Sequence, residues 1–175
     1  KVDLGNGLPK YTFGFNFSLA WKGFDLSANF TGAAGFQIAQ SYRNPDSSQA
    51  NYSRRILKRW TGEGTSNEIP RVTYGDVGNW LFSDLYLQDG DYIRLQNLTM
   101  GYDFKKLISW KGLSKMRLYF QVQNLFTLTK YDGMDPEIGS YNGTDGNSSD
   151  SWVSGVDMGY YPHPRTFIVG VNVAF

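Results

Sequence analysis

This 175-residue chain contains no cysteine, which excludes a disulfide framework and a thiolate metal site. Long apolar runs are also missing. No stretch of about 18 apolar residues occurs, which excludes a transmembrane helix but leaves open membrane-spanning strands, whose hydropathy signal is much weaker. The formal net charge is only +1, so the composition gives no reason to expect a nucleic-acid partner.

What the chain has instead is a high share of aromatic residues, 17%, beside a low share of charged residues, 19%. Apolar residues make up 41%, yet the mean hydropathy is −0.42, so apolar and polar residues must be finely interleaved. The first residue is Lys1, with no Met and no signal-peptide segment. We therefore expect a processed chain, a truncated chain or one part of a longer protein.

Strict alternation of apolar and polar residues predicts the strands. In residues 11–21 every odd position is a large apolar or aromatic residue, and every even position is small or polar. This period of two is typical of a strand with two chemically distinct faces. The pattern resumes at residues 24–35 after Lys22-Gly23, and two residues that include a glycine predict a tight hairpin.

Three more strands are predicted at about residues 92–104, 116–126 and 165–175. A long polar connection, residues 36–91, precedes the first of these three strands and contains a helical patch near residues 51–60. A second long polar connection, residues 127–164, precedes the last. Short and long connections thus alternate along the chain. Outer-membrane barrels have this order, with short periplasmic turns and longer extracellular loops.

The length of the strands separates this pattern from a soluble β-sandwich. Strands of the length of residues 11–21, with a rise of ~3.3 Å per residue and a tilt of about 40°, climb roughly 25 Å along a barrel axis. Their polar positions are small and mostly uncharged, which suits an enclosed lumen better than bulk solvent. The sequence therefore predicts an all-β fold, a transmembrane antiparallel β-barrel. Five strands cannot close a barrel, so we expect the remaining strands to come from elsewhere.

Four stretches resemble one family, the SusC/RagA-type TonB-dependent outer-membrane receptors. They are PKYTFGF at residues 9–15 with WKGFDLS at 21–27, RWTGEG at 59–64 with IPR at 69–71, DGDYIRLQNLTMGY at 89–102, and VQNLF at 122–126 with YDGMDPE at 131–137. Their order and spacing cover nearly the whole chain. The chain is therefore similar to the C-terminal barrel portion of such receptors.

The resemblance implies the last five strands of a 22-stranded, plugged barrel in the outer membrane of a Gram-negative bacterium. It implies import of large nutrients, with oligosaccharides as the leading substrate class and oligopeptides as the alternative. The implied partners are a SusD-like surface lipoprotein, the rest of the barrel and its plug, TonB through a segment that this chain does not contain, and outer-membrane lipid. No cofactor and no catalysis are implied.

The last predicted strand resembles the C-terminal signal that the barrel-assembly machinery reads. That signal consists of alternating apolar residues: Phe167, Val169, Val171, Val173 and Phe175. The alternative is an apolar lipid-facing strand that carries no signal.

Aromatic residues in the long connections are candidate sugar contacts, because aromatic rings stack on sugar faces and also anchor loops to one another. These are Trp80, Tyr131 and Trp152. The basic stretch Arg54, Arg55, Lys58 and Arg59 favours a solvated helix, with Ile56, Leu57 and Trp60 packed inward, over an anionic ligand site.

Two chemical alternatives have weaker support. Asp132, Asp135 and Glu137, and separately Asp145, Asn147 and Asp150, are faintly similar to calcium loops, but turn chemistry explains both sets. The single histidine, His163, lies between two prolines, a rigid turn context that does not favour the base of a hydrolase.

Two alternatives to import come from other classes of function. The same strands would serve a non-transporting outer-membrane barrel or adhesin, and the parent protein would then contain no plug domain. A soluble carbohydrate-binding β-sandwich would instead bury Phe13, Phe15, Phe120 and Val171 in one compact core.

Overall fold

The computed structural model describes residues 5–41, 54–72, 82–108, 110–138 and 154–175. Its main sheet has five long strands, all antiparallel, in the order β1-β2-β5-β6-β8. They are β1 (Tyr11–Trp21), β2 (Phe24–Ala34), β5 (Tyr92–Asp103), β6 (Lys115–Thr129) and β8 (Thr166–Ala174). The predicted all-β antiparallel class is confirmed.

The short connections lie together at one end of this sheet. Lys22 and Gly23 adopt φ values of 48° and 94° between the paired residues Trp21 and Phe24, which is the backbone of a type I′ hairpin turn. The Asp103 amide donates to the Gly23 carbonyl at 2.8 Å, so the end of β5 lies beside this turn. We call this the turn end, and the opposite end, where the long connections leave, the loop end.

The register places most large apolar positions on one face. One row across the sheet runs Leu19, Leu26, Met100, Phe120, Val169, and another runs Phe15, Phe30, Leu95, Phe126. Much of this face is open: Phe15 is 60% exposed and Val169 is 71% exposed. Phe13, Phe15 and Val171 are therefore not packed into a compact core, and the soluble β-sandwich is not supported.

The core of the described residues is small and lies at the loop end. It consists of Ala33, Phe36, Ile38 and Tyr131, with Tyr92 and Ile138 packed against it. On the apolar face of the main sheet Leu95 and Val122 are buried, but much of that face is left uncovered by the described part of the chain.

Within the long connections the structure contains elements that the sequence did not predict. The short strands β3 (Gln37–Gln40), β4 (Leu87–Asp89) and β7 (Val156–Asp157) form a second sheet in the order β4-β3-β7. Since β3 and β4 belong to the first long connection and β7 to the second, this sheet joins the two connections. In addition, β6 continues to Thr129, three residues beyond the predicted end at 126.

Helices in the described ranges are short and of the 3₁₀ type, at Arg54–Lys58, Asp84–Tyr86 and Phe104–Lys106. The first falls in the predicted helical patch. No helix in these ranges is long and apolar enough to cross a membrane.

Candidate functional site

The polar face of the main sheet carries a row of uncharged hydrogen-bonding side chains. The register aligns one residue from each strand, in the order Asn16, Asn29, Asn97, Gln123, Thr166. The Gln121 amide nitrogen lies 3.5 Å from the Asn97 side-chain oxygen, at the limit of a hydrogen bond. We call the row from Asn16 to Thr166 the amide rung.

A second row runs parallel to the amide rung, two residues closer to the turn end. Its members are Ser18, Ser27, Thr99, Gln121 and Ile168. Residues two apart on a strand share a face and lie about 7 Å apart. Together the two rows form a neutral band, which offers amide and hydroxyl groups of both donor and acceptor type.

At the turn end an arginine and an aspartate on the polar face form an ion pair. The Arg117 guanidinium donates to both oxygens of Asp25, from Nε at 2.8 Å and from Nη2 at 2.5 Å. This bidentate pair links β6 to β2 across β5, and Gly101 makes the crossing possible because a Cβ there would lie 2.5 Å from Arg117 Nε. The guanidinium also lies over the Tyr119 ring, 5.2 Å from its centroid.

At the loop end a single buried arginine gathers several partners. Arg94 on β5 is only 2% exposed. Its Nε donates to Thr127 Oγ1 at 3.0 Å, its Nη1 pairs with Glu137 Oε2 at 2.8 Å, and its Nη2 pairs with Asp135. A buried guanidinium needs such a set, because an unpaired charge in a dry environment is costly.

The Asp135 carboxylate is equally well supplied with donors. It accepts from the backbone amides of Glu137 at 2.9 Å and His163 at 3.1 Å, and its Oδ2 lies 3.0 Å from His163 Nδ1. Burial alone would raise the pKa of Asp135, but the hydrogen bonds from Glu137 and His163 and the charge of Arg94 together hold it below its usual value. We call Arg94, Thr127, Asp135, Glu137 and His163 the Arg94 cluster.

Three members of this cluster have the donor types of a metal site. One ligand atom each from Asp135, Glu137 and His163 lies within 4.8 Å of the others. However, the Arg94 guanidinium already pairs with both carboxylates, so the position of a cation is taken by an arginine. The expectation that turn chemistry, and not calcium, explains residues 132–137 remains a prediction, and Asp145, Asn147 and Asp150 lie outside the described residues.

Of the candidate sugar contacts, only Tyr131 can be placed, since Trp80 and Trp152 lie outside the described residues. The Tyr131 side chain is 6% exposed, belongs to the small core, and donates from its hydroxyl to Asp157. This position gives Tyr131 a role in packing the loops and leaves little of its ring face open. The sugar-contact prediction finds no support at this residue.

The basic stretch in the first long connection faces a cleft of mixed charge. The cleft has a volume of about 320 Å³ and is lined by Arg55, Lys58, Glu68, Ile69, Gln88, Asp89, Lys130 and Asp132. Basic and acidic residues are balanced there, which does not suggest an anion site. Leu57 is 76% exposed, so the expectation that it packs inward is wrong, because a single 3₁₀ turn has little buried side.

The residues of the predicted assembly signal all lie on the apolar face of β8 or just after it. Phe167, Val169, Val171 and Val173 are 47–71% exposed, and Phe175 is 84% exposed with its ring 6.2 Å from that of Trp110. Their exposure is what either a signal or a lipid contact requires, and their role in assembly stays a prediction.

Sequence reasoning missed the amide rung and the Arg94 cluster. The signals were present in part, because Arg94 interrupts an apolar stretch and Asp135-Pro136-Glu137 had already been singled out. The residues of the Arg94 cluster meet through contacts between positions 28–43 residues apart along the chain, which no local pattern contains.

No protein-family model matches the chain. It is 35% identical over 174 residues to "TonB-dependent receptor P3" of Formosa agariphila, which covers 98% of this chain and 17% of that protein. It is 27% identical over 166 residues to "TonB-dependent receptor SusC" of Bacteroides thetaiotaomicron, covering 93% of this chain and 15% of SusC. The chain thus spans about a sixth of the length of these relatives.

Among solved structures, the fold is similar to one described as the RagAB peptide importer in the "closed-closed" state. The TM-score is 0.72 and the sequence identity is 24%, with 98% of this chain and 18% of the other chain covered.

Proposed function

We propose that this chain, a homologue of SusC-type TonB-dependent receptors over nearly its whole length, forms part of the wall of an outer-membrane β-barrel that imports large nutrients. The proposal rests on the two faces of the main sheet. One face is apolar and open, and the other carries neutral hydrogen-bonding groups between two sets of neutralised charges.

The apolar face is best explained by contact with lipid. Its rows of Phe, Leu and Val continue across all five strands, and β1 and β8 each have only one paired neighbour among the described residues. Open strand edges are not tolerated in hydrocarbon. The proposed solution is a closed barrel of the 22-stranded class, in which further strands of the parent protein pair with both edges.

The neutral band supports oligosaccharides as the substrate class. Sugars are uncharged and rich in hydroxyl groups, and the band offers amides and hydroxyls while the charges beside it pair with each other. A free charge on this wall would instead retain ions and charged peptides. This band is the single observation that carries the assignment.

Oligopeptides are the second candidate. Side-chain amides also hydrogen-bond to peptide backbone, and the similar fold named above belongs to a peptide importer. For the parent protein we further propose a SusD-like lipoprotein over the loop end and energy supplied through TonB, because these accompany SusC-type receptors.

Uptake by cells that express the full-length receptor tests the proposal. The probes are fluorescent neutral oligosaccharides and fluorescent oligopeptides, compared in the wild type, Asn97→Leu and the control Leu98→Met, which changes the adjacent residue on the other face. We expect uptake of an oligosaccharide, with a half-saturation concentration about fivefold higher in Asn97→Leu, since one hydrogen bond is worth about 1 kcal/mol.

The control should match the wild type. Uptake of oligopeptides alone would establish the second candidate. A folded, surface-exposed receptor that takes up neither class of probe would contradict the proposed function.

A further inference from the structure

Three stretches that are far apart in the sequence meet at Arg94. Arg94 itself lies in β5, Asp135 and Glu137 follow β6, and His163 precedes β8. Arg94 pairs directly with both carboxylates, and Asp135 in turn holds the His163 backbone and ring. The cluster therefore joins a strand of the sheet wall to both ends of the second long connection.

The connection between β6 and β8 has an outgoing stem, residues 130–138, and a returning stem, residues 154–165. The Arg94 cluster ties the two stems together at their base. A second tie joins the two stems where the Tyr131 hydroxyl donates to Asp157, and a third lies at the end of β6, where Thr129 Oγ1 donates to the Asp91 carbonyl at 2.8 Å. Among the ion pairs of the described residues, only those of the Arg94 cluster connect the stems to the wall. Arg94 pairs with Asp135 and Glu137 of the outgoing stem, and Asp135 accepts from the His163 amide of the returning stem.

We propose that Arg94 is the positioning residue that orients the second outer connection relative to the barrel wall, so that it presents a fixed surface for substrate capture. The inference rests on the proposed import function. It assigns to Arg94 an effect on the capture of substrate and none on its passage through the barrel.

The chemistry of the cluster requires arginine and not merely a positive charge. The guanidinium is a planar fork that donates from three nitrogens to three residues, Thr127, Asp135 and Glu137. A lysine in the same place has one ammonium at the end of a flexible stem, which cannot reach all three partners in this geometry. Arg94→Lys therefore keeps the positive charge but no longer holds the second long connection in one orientation.

Two measurements on the full-length receptor test this role. Spin labels at Leu128→Cys on β6 and Tyr161→Cys on the returning stem report the distance between wall and connection; both sites are exposed, at 61% and 87%. With Arg94 the distance distribution should be narrow, and with Arg94→Lys it should broaden. In uptake, Arg94→Lys should raise the half-saturation concentration about tenfold and leave the maximal rate per folded receptor unchanged.

The control is Lys105→Arg at the turn end, where the Lys105 ammonium donates to the Trp110 carbonyl at 2.9 Å; this variant should change neither readout. Asp135→Asn, which keeps the shape of the side chain and removes its charge, should broaden the distances as Arg94→Lys does, and decides the question if Arg94→Lys does not fold. An unchanged distance distribution would overturn the proposal. So would a lower maximal rate with an unchanged half-saturation concentration. The distance measurement does not require uptake. A receptor that shows the expected distances but takes up neither class of probe would therefore contradict the import function and not the positioning role of Arg94.

Discussion

Arginine substitutions along β1 should cost free energy according to depth and face. The midpoint of Tyr11–Trp21 is Asn16, so the Phe15 side chain lies one residue from the centre and Trp21 lies five residues from it. At ~3.3 Å per residue and a tilt of about 40°, these offsets are roughly 2.5 Å and 13 Å along the barrel axis. Phe15 is therefore near the middle of the apolar band and Trp21 near its boundary.

The expected magnitudes follow from that placement. Arginine facing lipid costs about 2–4 kcal/mol at the midplane and about 0–1 kcal/mol near the interface. Phe15→Arg should therefore destabilise the barrel by about 2–4 kcal/mol, and Trp21→Arg by no more than about 1 kcal/mol. Asn16→Arg points to the polar face and should cost less than Phe15→Arg, although it lies at nearly the same depth.

The assay is urea titration of the full-length receptor folded into phosphatidylcholine vesicles, with folding followed by the shift in electrophoretic mobility of unheated samples. Equal destabilisation by Phe15→Arg and Asn16→Arg would refute the assignment of faces. A larger cost for Trp21→Arg than for Phe15→Arg would refute the assignment of depth.

Further predictions concern the polar face and the loop end. A double-mutant cycle on Arg117 and Asp25, read by urea titration, should give a coupling free energy of at most about 1 kcal/mol, because the Asp25 side chain is 37% exposed. A coupling free energy of several kcal/mol would mean that the ion pair is shielded from water. Gly170→Ala should cost about 1–3 kcal/mol, because its Cβ would overlap a tyrosine ring, whereas Gly14→Ala, whose Cβ would lie 3.7 Å from the nearest atom, should cost less than 1 kcal/mol in the same titration. The pKa of Asp135 is lowered in the folded protein, so its ionised carboxylate stabilises the fold. This stabilisation should be complete above the pKa of an ordinary aspartic acid, about 3.9, and should be lost as the pH falls below that value. Spin-label distances across the cluster should thus broaden as the pH is lowered below about 3.9, and a distribution that stays narrow there would contradict the assignment.

The long strands could be predicted from the sequence because their pattern is local. β1, β2 and β8 alternate over nine or more residues, β5 and β6 alternate on each side of a register shift, and the pairing of Trp21 with Phe24 follows from a two-residue turn. The short strands β3 and β4 have only four and three residues, too few for a period to show. They exist because they pair with each other, as at Ala39 and Leu87, which lie 48 residues apart along the chain.

The candidate site was harder to predict for the same reason. The amide rung becomes visible only when the register is known, because Asn29 and Asn97 are aligned through a bulge between Leu95 and Asn97. Residue type alone makes Tyr131 a candidate sugar contact, and it equally fits the other role expected of these aromatic residues, the anchoring of loops to one another. Its burial depends on a partner, Asp157, that lies 26 residues away.

The central claim is that the bulky face touches hydrocarbon and the small polar face borders an aqueous interior. Because this chain has no cysteine of its own, single cysteines at Phe15, Asn16, Phe17 and Ser18 in the full-length receptor can carry a fluorescent label without background from this region. We predict that brominated lipid quenches labels at 15 and 17, whereas a water-soluble quencher reaches labels at 16 and 18. Quenching by brominated lipid at 16 and 18, or by the water-soluble reagent at all four positions, would contradict the account.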